Sequence, residues 1–186
     1  MVYVGTPAWG NYEPMMRLVG LEVNTYPYFD PLERKVDISS ILRTIRDAPP
    51  ASVFVLQACC HNPTGADPTQ EQWDQIAIAM KEGQHIPLFD IAYQGLGNGF
   101  DEDAYAIRHF ASMDFEMLVC QSFSKNLALY GERCGALHVL GSSSEQAAAV
   151  RDRLRCLIRW EFSSSPAFGS RLANIISADK TLSSDW

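Results

Sequence analysis

Short, nearly unbroken apolar runs alternate along this chain with stretches whose apolar residues recur every three or four positions. Val2-Tyr3-Val4 opens the chain in the manner of a strand. Val53 to Cys60 (VFVLQACC) is a run of strand length with little polar interruption, as expected for a strand covered on both faces. From Thr69 to about Lys81, Trp73, Ile76, Ala77 and Met80 fall on one helical stripe. Thr69 and Gln72 read as a capping box there, and Asp67-Pro68 stands before them as a breaker. His85 to Ala92 (HIPLFDIA) predicts a strand, and Asp101 to about Ser112 a helix with Ala104, Ile107, Phe110 and Ala111 on one face. Phe115 to Ser122 and Cys134 to Leu140 predict two more strands. Glu145 to Ile158 carries a helical stripe of Ala147, Val150, Leu154, Leu157 and Ile158. A last helix is expected from Pro166, with Ser165 as its cap.

Strands and helices in this alternation imply βαβ units, hence an α/β fold with a mostly parallel sheet and helices on both faces. No internal repeat, low-complexity tract or linker divides residues 1–186, so one domain is expected. The strand-like opening and the helical pattern close to Trp186 both read as interior to something longer, which would make that domain a partial one. In open parallel sheets ligands bind beyond the carboxyl ends of the strands. Chemistry is therefore expected among the polar residues just past each strand.

Composition narrows the partners. Hydrophobic residues make up 47% of the chain and charged residues 20%, and no apolar run approaches the length of a membrane-spanning helix. A net charge of -7 disfavours a broad nucleic-acid surface, while a small anion needs only a local cluster of donors. Cys59, Cys60, Cys120, Cys134 and Cys156 form no even framework and no CxxC spacing, so no structural zinc is expected. They read as reduced thiols of an intracellular protein, with Cys59-Cys60 as small buried residues. With no signal or transit segment at the start, the expected location is cytoplasmic; a mitochondrial one stays open because a true N-terminus could precede Met1.

Three strand ends carry the candidate chemistry. After the VFVLQACC strand, Pro63 pushes Asn62 towards an extended conformation and Gly65 permits a tight turn, which either makes an ordinary Asn-Pro turn or presents the Asn62 amide to the crevice. The HIPLFDIA strand ends at Asp90, with Tyr93 close behind. A carboxylate there is costly to bury without a partner such as a cationic heterocyclic nitrogen or a metal. Metal is disfavoured, since no second carboxylate or histidine lies close in sequence; His61, His85, His109 and His138 are scattered and read as structural or surface groups. The third strand ends in Ser122-Phe123-Ser124-Lys125, with Arg133 further on. A lysine in an apolar, cation-flanked site loses its proton readily and becomes a nucleophile towards aldehydes, and a hydroxyl with a guanidinium suits phosphate. An acid for a ring nitrogen, a phenol and an amide for a ring oxygen, a lysine for an imine and donors for a phosphate together fit pyridoxal phosphate.

HNPTG, DIAYQG, SFSKN and LYGERCGA, in this order and spacing, with the opening Thr6-Pro7-Ala8-Trp9-Gly10-Asn11, resemble the fold-type I aminotransferases, and among them the aspartate aminotransferases, over essentially the whole chain. The resemblance implies the large, cofactor-binding domain of such an enzyme and transamination between an amino acid, aspartate or glutamate, and a 2-oxo acid. It implies Lys125 as the Schiff-base lysine and proton shuttle, Asp90 as the partner of the pyridinium nitrogen, and Tyr93 and Asn62 as hydrogen-bond partners of the ring oxygen. Ser122 and Arg133 match phosphate ligands, and Trp9 the aromatic stacked on the ring. Trp9 and Asn62 would also border the substrate, and Arg159 would reach across a homodimer to pair with a substrate side-chain carboxylate. The family's N-terminal segment with its phosphate loop, and its small C-terminal domain with the arginine for the α-carboxylate, have no counterpart in these residues. Gln57 and Tyr12 stand where the family commonly has histidines, and Trp160 to Phe168 departs from the aspartate-enzyme pattern. An aromatic amino-acid substrate therefore stays open. So does a truncated, non-catalytic remnant that binds cofactor or pairs with a full-length subunit. No glycine-rich phosphate loop follows any strand, which sets an unrelated nucleotide-binding domain aside.

Overall fold

A computed structural model describes residues 1–185. The strands are β1 (Val2–Thr6), β2 (Val23–Pro27), β3 (Phe29–Asp30), β4 (Lys35–Val36), β5 (Val53–Gln57), β6 (Ile86–Ile91), β7 (Met117–Ser122) and β8 (Gly135–Leu140). The helices are α1 (Tyr12–Leu18), α2 (Ile38–Asp47), α3 (Gln70–Glu82), α4 (Tyr105–Ser112), α5 (Ser144–Glu161), α6 (Phe168–Ala178) and α7 (Lys180–Asp185). Six strands form one sheet in the order β2-β1-β5-β6-β7-β8, and β3 pairs with β4 beside it. The first five strands of that order run parallel, and β8 joins β7 antiparallel.

Successive side chains of a strand serve opposite faces of the sheet. Tyr3, Phe54, Leu56, Phe89, Ile91 and Val119 face the side covered by α2, α3 and α4, where Ile41, Ile45, Trp73, Ile76, Met80 and Phe110 complete the larger core. Val2, Val4, Val23, Val55 and Leu88 face the other side, against Tyr12 and Met16 of α1. Helices thus cover both faces, as the alternating pattern predicts. The α3 capping box forms as read: Thr69 Oγ1 accepts from Gln72 N at 3.2 Å, and Gln72 Oε1 accepts from Thr69 N at 2.9 Å.

Several boundaries differ from the sequence expectation, each for a physical reason. The VFVLQACC run leaves the sheet after Gln57, because Ala58 to Cys60 turn into the loop, with Cys60 at a left-handed φ of 49°. The helix expected from Asp101 starts as a 3-10 turn, Glu102–Ala104, before α4. That turn is held by the Asp103 carboxylate, which accepts from the backbone N–H groups of Gly95 (2.8 Å), Gly97 (3.0 Å) and Asn98 (2.9 Å). α5 is longer than its apolar stripe, with Ser143 capping it through Gln146 N at 3.1 Å. α6 begins at Phe168 with Ala167 as its N-cap and no side-chain cap, so Ser165 does not cap it and Pro166 does not open it.

Candidate active site

The sheet brings the three chemical strand ends side by side, with Gln57 in register with Asp90 and Asp90 in register with Cys120. Beyond these ends lies a cavity of about 470 Å³, lined by Trp9, Gln57, Cys59, Asn62, Asp90, Ala92, Tyr93, Ser122, Ser124, Lys125, Tyr130 and Arg133. All of the residues expected to hold a cofactor therefore border one space: Trp9, Asn62, Asp90, Tyr93, Ser122, Lys125 and Arg133.

At the end of β5 the Gln57 side chain clasps the backbone of Asn62 from both sides. Its Nε2 donates to the Asn62 carbonyl at 3.0 Å and its Oε1 accepts from the Asn62 N–H at 2.8 Å. The loop is fixed further by Asp67, which accepts from Cys60 N at 2.6 Å and His61 N at 2.8 Å, and by Tyr28, which donates to the Ala66 carbonyl at 2.6 Å. His61 stacks on Tyr28 with centroids 3.8 Å apart and pairs with Thr64 Oγ1 at 2.8 Å; burial pulls its pKa down to about 4. It is a neutral structural group, as expected of the histidines. Among the described residues no histidine borders the cavity. His85 bonds the Ile45 carbonyl at 2.8 Å, His109 faces Asp74 at 3.2 Å and His138 bonds Gln121 at 3.0 Å.

At the end of β6, burial drives the Asp90 carboxyl up from its ordinary range, opposed by a hydrogen bond from Tyr12 and by the charge of Lys125. Tyr12 donates to Asp90 Oδ2 at 2.5 Å. Burial first, and then the Asp90 charge, push the Tyr12 phenol well above its usual pKa, so it stays a donor. Trp9 meets Tyr12 edge to face at 5.4 Å and keeps 40% of its surface exposed over the cavity mouth. Tyr93 lies in the next loop, where Leu96 N donates to its carbonyl at 2.9 Å and Gly95 takes a φ of 90° that favours glycine.

The loop after β7 is tied back to this one. Gln121 donates to Gln94 Oε1 at 2.9 Å, and Asn126 Nδ2 donates to the Gln94 carbonyl at 3.1 Å. Lys125 Nζ is thereby held between two rings, 5.6 Å from the centroid of Tyr93 and 5.2 Å from that of Tyr130. Ser122 Oγ accepts from Ser124 N at 3.2 Å. Arg133, at a left-handed φ of 53°, donates to the Tyr130 carbonyl at 2.9 Å and spreads over the Tyr130 ring at 5.9 Å.

One expected residue is not brought in. Arg159 sits on the exposed last turn of α5, outside the cavity, and donates to Ser163 Oγ. Conversely, the clasp by Gln57, the Tyr12–Asp90 bond and the Tyr130 ring had no role assigned from sequence. Gln57 carried a signal, as the polar end of an otherwise apolar strand. Tyr12 and Asp90 are 78 positions apart, and nothing local joins them.

Comparison with known proteins gives the family of the chain. The family model for aminotransferase class I and II matches residues 1–184. Aminotransferase tasG of Hapsidospora irregularis is 58% identical over 178 residues, covering 96% of this chain and 55% of that protein. The mitochondrial aspartate aminotransferase of Schizosaccharomyces pombe is 45% identical over 186 residues, 100% of this chain and 43% of that one. The crystal structure of the aromatic-amino-acid aminotransferase from Burkholderia pseudomallei, covalently bound to pyridoxal phosphate, superposes with a TM-score of 0.97 at 37% identity, covering 100% of this chain and 46% of that one. The chain spans about half the length of these relatives.

Proposed function

This chain belongs to aminotransferase class I and II, and on that premise we propose that it binds pyridoxal 5'-phosphate and serves amino-group transfer between an amino acid and a 2-oxo acid. The observation that carries the reading is the single cavity shared by Asn62, Asp90, Tyr93, Ser122, Lys125 and Arg133. The residues suit the group chemically. Asp90 is a carboxylate raised by burial, and its hydrogen-bonding neighbour, Tyr12, is neutral. Lys125 acts on Asp90 by charge at a distance, and a protonated ring nitrogen would supply a cation in direct hydrogen bond. Asn62 and Tyr93 would meet the ring oxygen, Ser122 and Arg133 the phosphate, and Trp9 the ring face.

When bound, the cofactor supplies an electron sink for the bonds at the substrate's α-carbon. The protein's own residues orient and move protons. Tyr12 keeps one Asp90 oxygen occupied by a donor and leaves the other for the ring nitrogen. Lys125 is the residue whose amine would hold the cofactor and would move a proton at the substrate carbon. The flanking Tyr93 and Tyr130 rings restrict where Nζ can travel. The Gln57 clasp fixes the Asn62 backbone from which the amide projects.

For substrate class the leading reading is a dicarboxylic amino acid, with Arg159 offered to the site of a second copy in a homodimer. An aromatic substrate is the second reading, favoured by the Burkholderia neighbour. A piece that binds cofactor without turnover is the third, favoured by a chain about half the length of its relatives.

Pyridoxal phosphate added to the purified chain is expected to give a visible absorbance band that Lys125→Ala abolishes while the fold persists. No band in the parent chain would refute cofactor binding. Transfer from aspartate, then from tyrosine, to 2-oxoglutarate separates the substrate readings, and a band without turnover selects the third.

A further inference from the structure

Cys59 and Cys60 take no part in the proposed transfer, yet the fold gathers them onto a third ligating group. Cys59 Sγ, Cys60 Sγ and a carboxylate oxygen of Asp103 all lie within 4.8 Å of one another. Adjacent residues in an extended chain point to opposite sides. Here the left-handed φ of 49° at Cys60 turns the chain so that both thiols face the same acid. Asp103 is 4% exposed, and three backbone N–H groups at 2.8 to 3.0 Å fix its plane. A carboxylate accepts about four hydrogen bonds, so one lone pair on Oδ1 remains for a further ligand. The backbone closes one flank, since a β-carbon at Gly97 would lie 2.6 Å from Asp103 Oδ1 and 3.0 Å from Cys60 Sγ. The other flank opens on a cavity of about 290 Å³ that Cys59, Asp67, Asn98 and Asp103 border. Neither Asp67 nor Asp103 belongs to an ion pair among the described residues. The pocket is acidic and has no cation of its own.

We propose that Cys59, Cys60 and Asp103 form a site for one soft divalent cation, Zn²⁺ or its analogue Cd²⁺, with a water completing four-fold coordination. Thiol sulfur selects soft and borderline ions over Mg²⁺ or Ca²⁺, and three protein ligands with one open position suit a tetrahedral d¹⁰ ion. Binding forms two metal–sulfur bonds and one metal–oxygen bond, breaks two S–H bonds and releases two protons to solvent, with no change of oxidation state. The sequence argued against zinc from the absence of CxxC spacing. That argument does not reach a pair of adjacent cysteines folded onto an acid from a distant loop. Cys59 also borders the cavity of Lys125 and Asp90, so the two sites share a wall.

Titrating the reduced full chain with Cd²⁺ tests this, read by the ultraviolet thiolate-to-cadmium band and by proton uptake into a weak buffer. One equivalent is expected to develop the band and release two protons, and excess Zn²⁺ to compete for the same site. Cys59→Ser, Cys60→Ser and Asp103→Asn should each weaken binding by at least about tenfold, as loss of a metal's partner commonly does. Cys120→Ser, whose thiol lies on the strand β7, should not. Circular dichroism checks that each variant folds, and if Asp103→Asn does not, the two cysteine variants decide. No band at one equivalent, or unchanged affinity in a folded variant of any of the three ligands, overturns the proposal.

Discussion

Strands β1 to β7 with α1 to α4, and the segment from β8 to α7, are built on unequal terms. Among the described residues the buried apolar side chains run from Val2 to Val119, and beyond Ser122 only Ala173 joins them. In the first region Phe54, Phe89 and Phe110 are fully buried, and Trp73, Phe89 and Phe110 pack edge to face or tilted at 5.1 to 6.2 Å. In the second, α5 buries no residue, Trp160 is 72% exposed, and clefts of about 610 and 480 Å³ separate the tail helices from the sheet and its loops. The difference divides the candidate site. Asn62, Asp90 and Tyr93 are set by the packed region, Lys125 and Arg133 lie on the seam, and Arg159 belongs wholly to the loose one. Positions that rest on packing have one arrangement; positions on an unpacked helix need another surface to fix them.

The comparison breaks first at the core. Phe89→Ala or Phe110→Ala should cost about 3–5 kcal/mol, the usual loss for emptying a buried aromatic site, read as a lower urea midpoint. Acid should act through His61 on the same region. Its folded pKa of about 4 lies below the unfolded value near 6.5. The unfolded chain then binds the extra proton between those values, so stability falls as pH drops through that window, by up to about 3 kcal/mol. His61→Gln should flatten the loss between pH 6.5 and 4; an equally steep loss in the variant would remove His61 as its cause. Tyr12→Phe comes next, at about 1–3 kcal/mol for a charge-bearing hydrogen bond to a buried carboxylate. With its donor gone the Asp90 carboxyl should rise further, so the cofactor band should fade at higher pH than in the parent. Retention of the band down to the same pH would show that the bond does not tune Asp90. Smallest, Leu154→Ala in α5 should cost less than about 1 kcal/mol in the isolated chain, since its site is already half open. A cost as large as that of Phe89→Ala would show the two regions to be equally packed, and the contrast would fail.

The legibility of the chain does not follow this division, since β8 and α5 are readable while α1, β3 and β4 are not. Asn62, Asp90 and Lys125 could be read because each stands just past an apolar run, where local pattern and sheet topology coincide. The α3 cap was legible because its two partners are three residues apart. Strands β3 and β4 have two residues each, and α1 buries only Tyr12, so neither leaves a periodic trace. α2 does carry a stripe, Ile41 and Ile45 behind an Asp37 cap, and is as legible in principle as the shorter α4. The reversal of β8 is not written in its own residues. It follows from the connection out of β7, which has no helix to cross back over the sheet. The Tyr12–Asp90 bond and the Cys59–Cys60–Asp103 cluster join distant segments and exist only once the sheet is assembled.

The strand order also permits assembly in chain order. Reading β2-β1-β5-β6-β7-β8 by chain position, every strand joins an edge already present and none must be threaded between two others. A chain leaving the ribosome from its amino end can therefore lay down the sheet by successive addition, each new strand finding its neighbour already made. Lys125 and Arg133 follow the last of the parallel strands, β7, so the groups proposed to grip the cofactor arrive after the floor of their cavity is in place. During synthesis the reactive amine would spend the least time exposed on an unfinished scaffold.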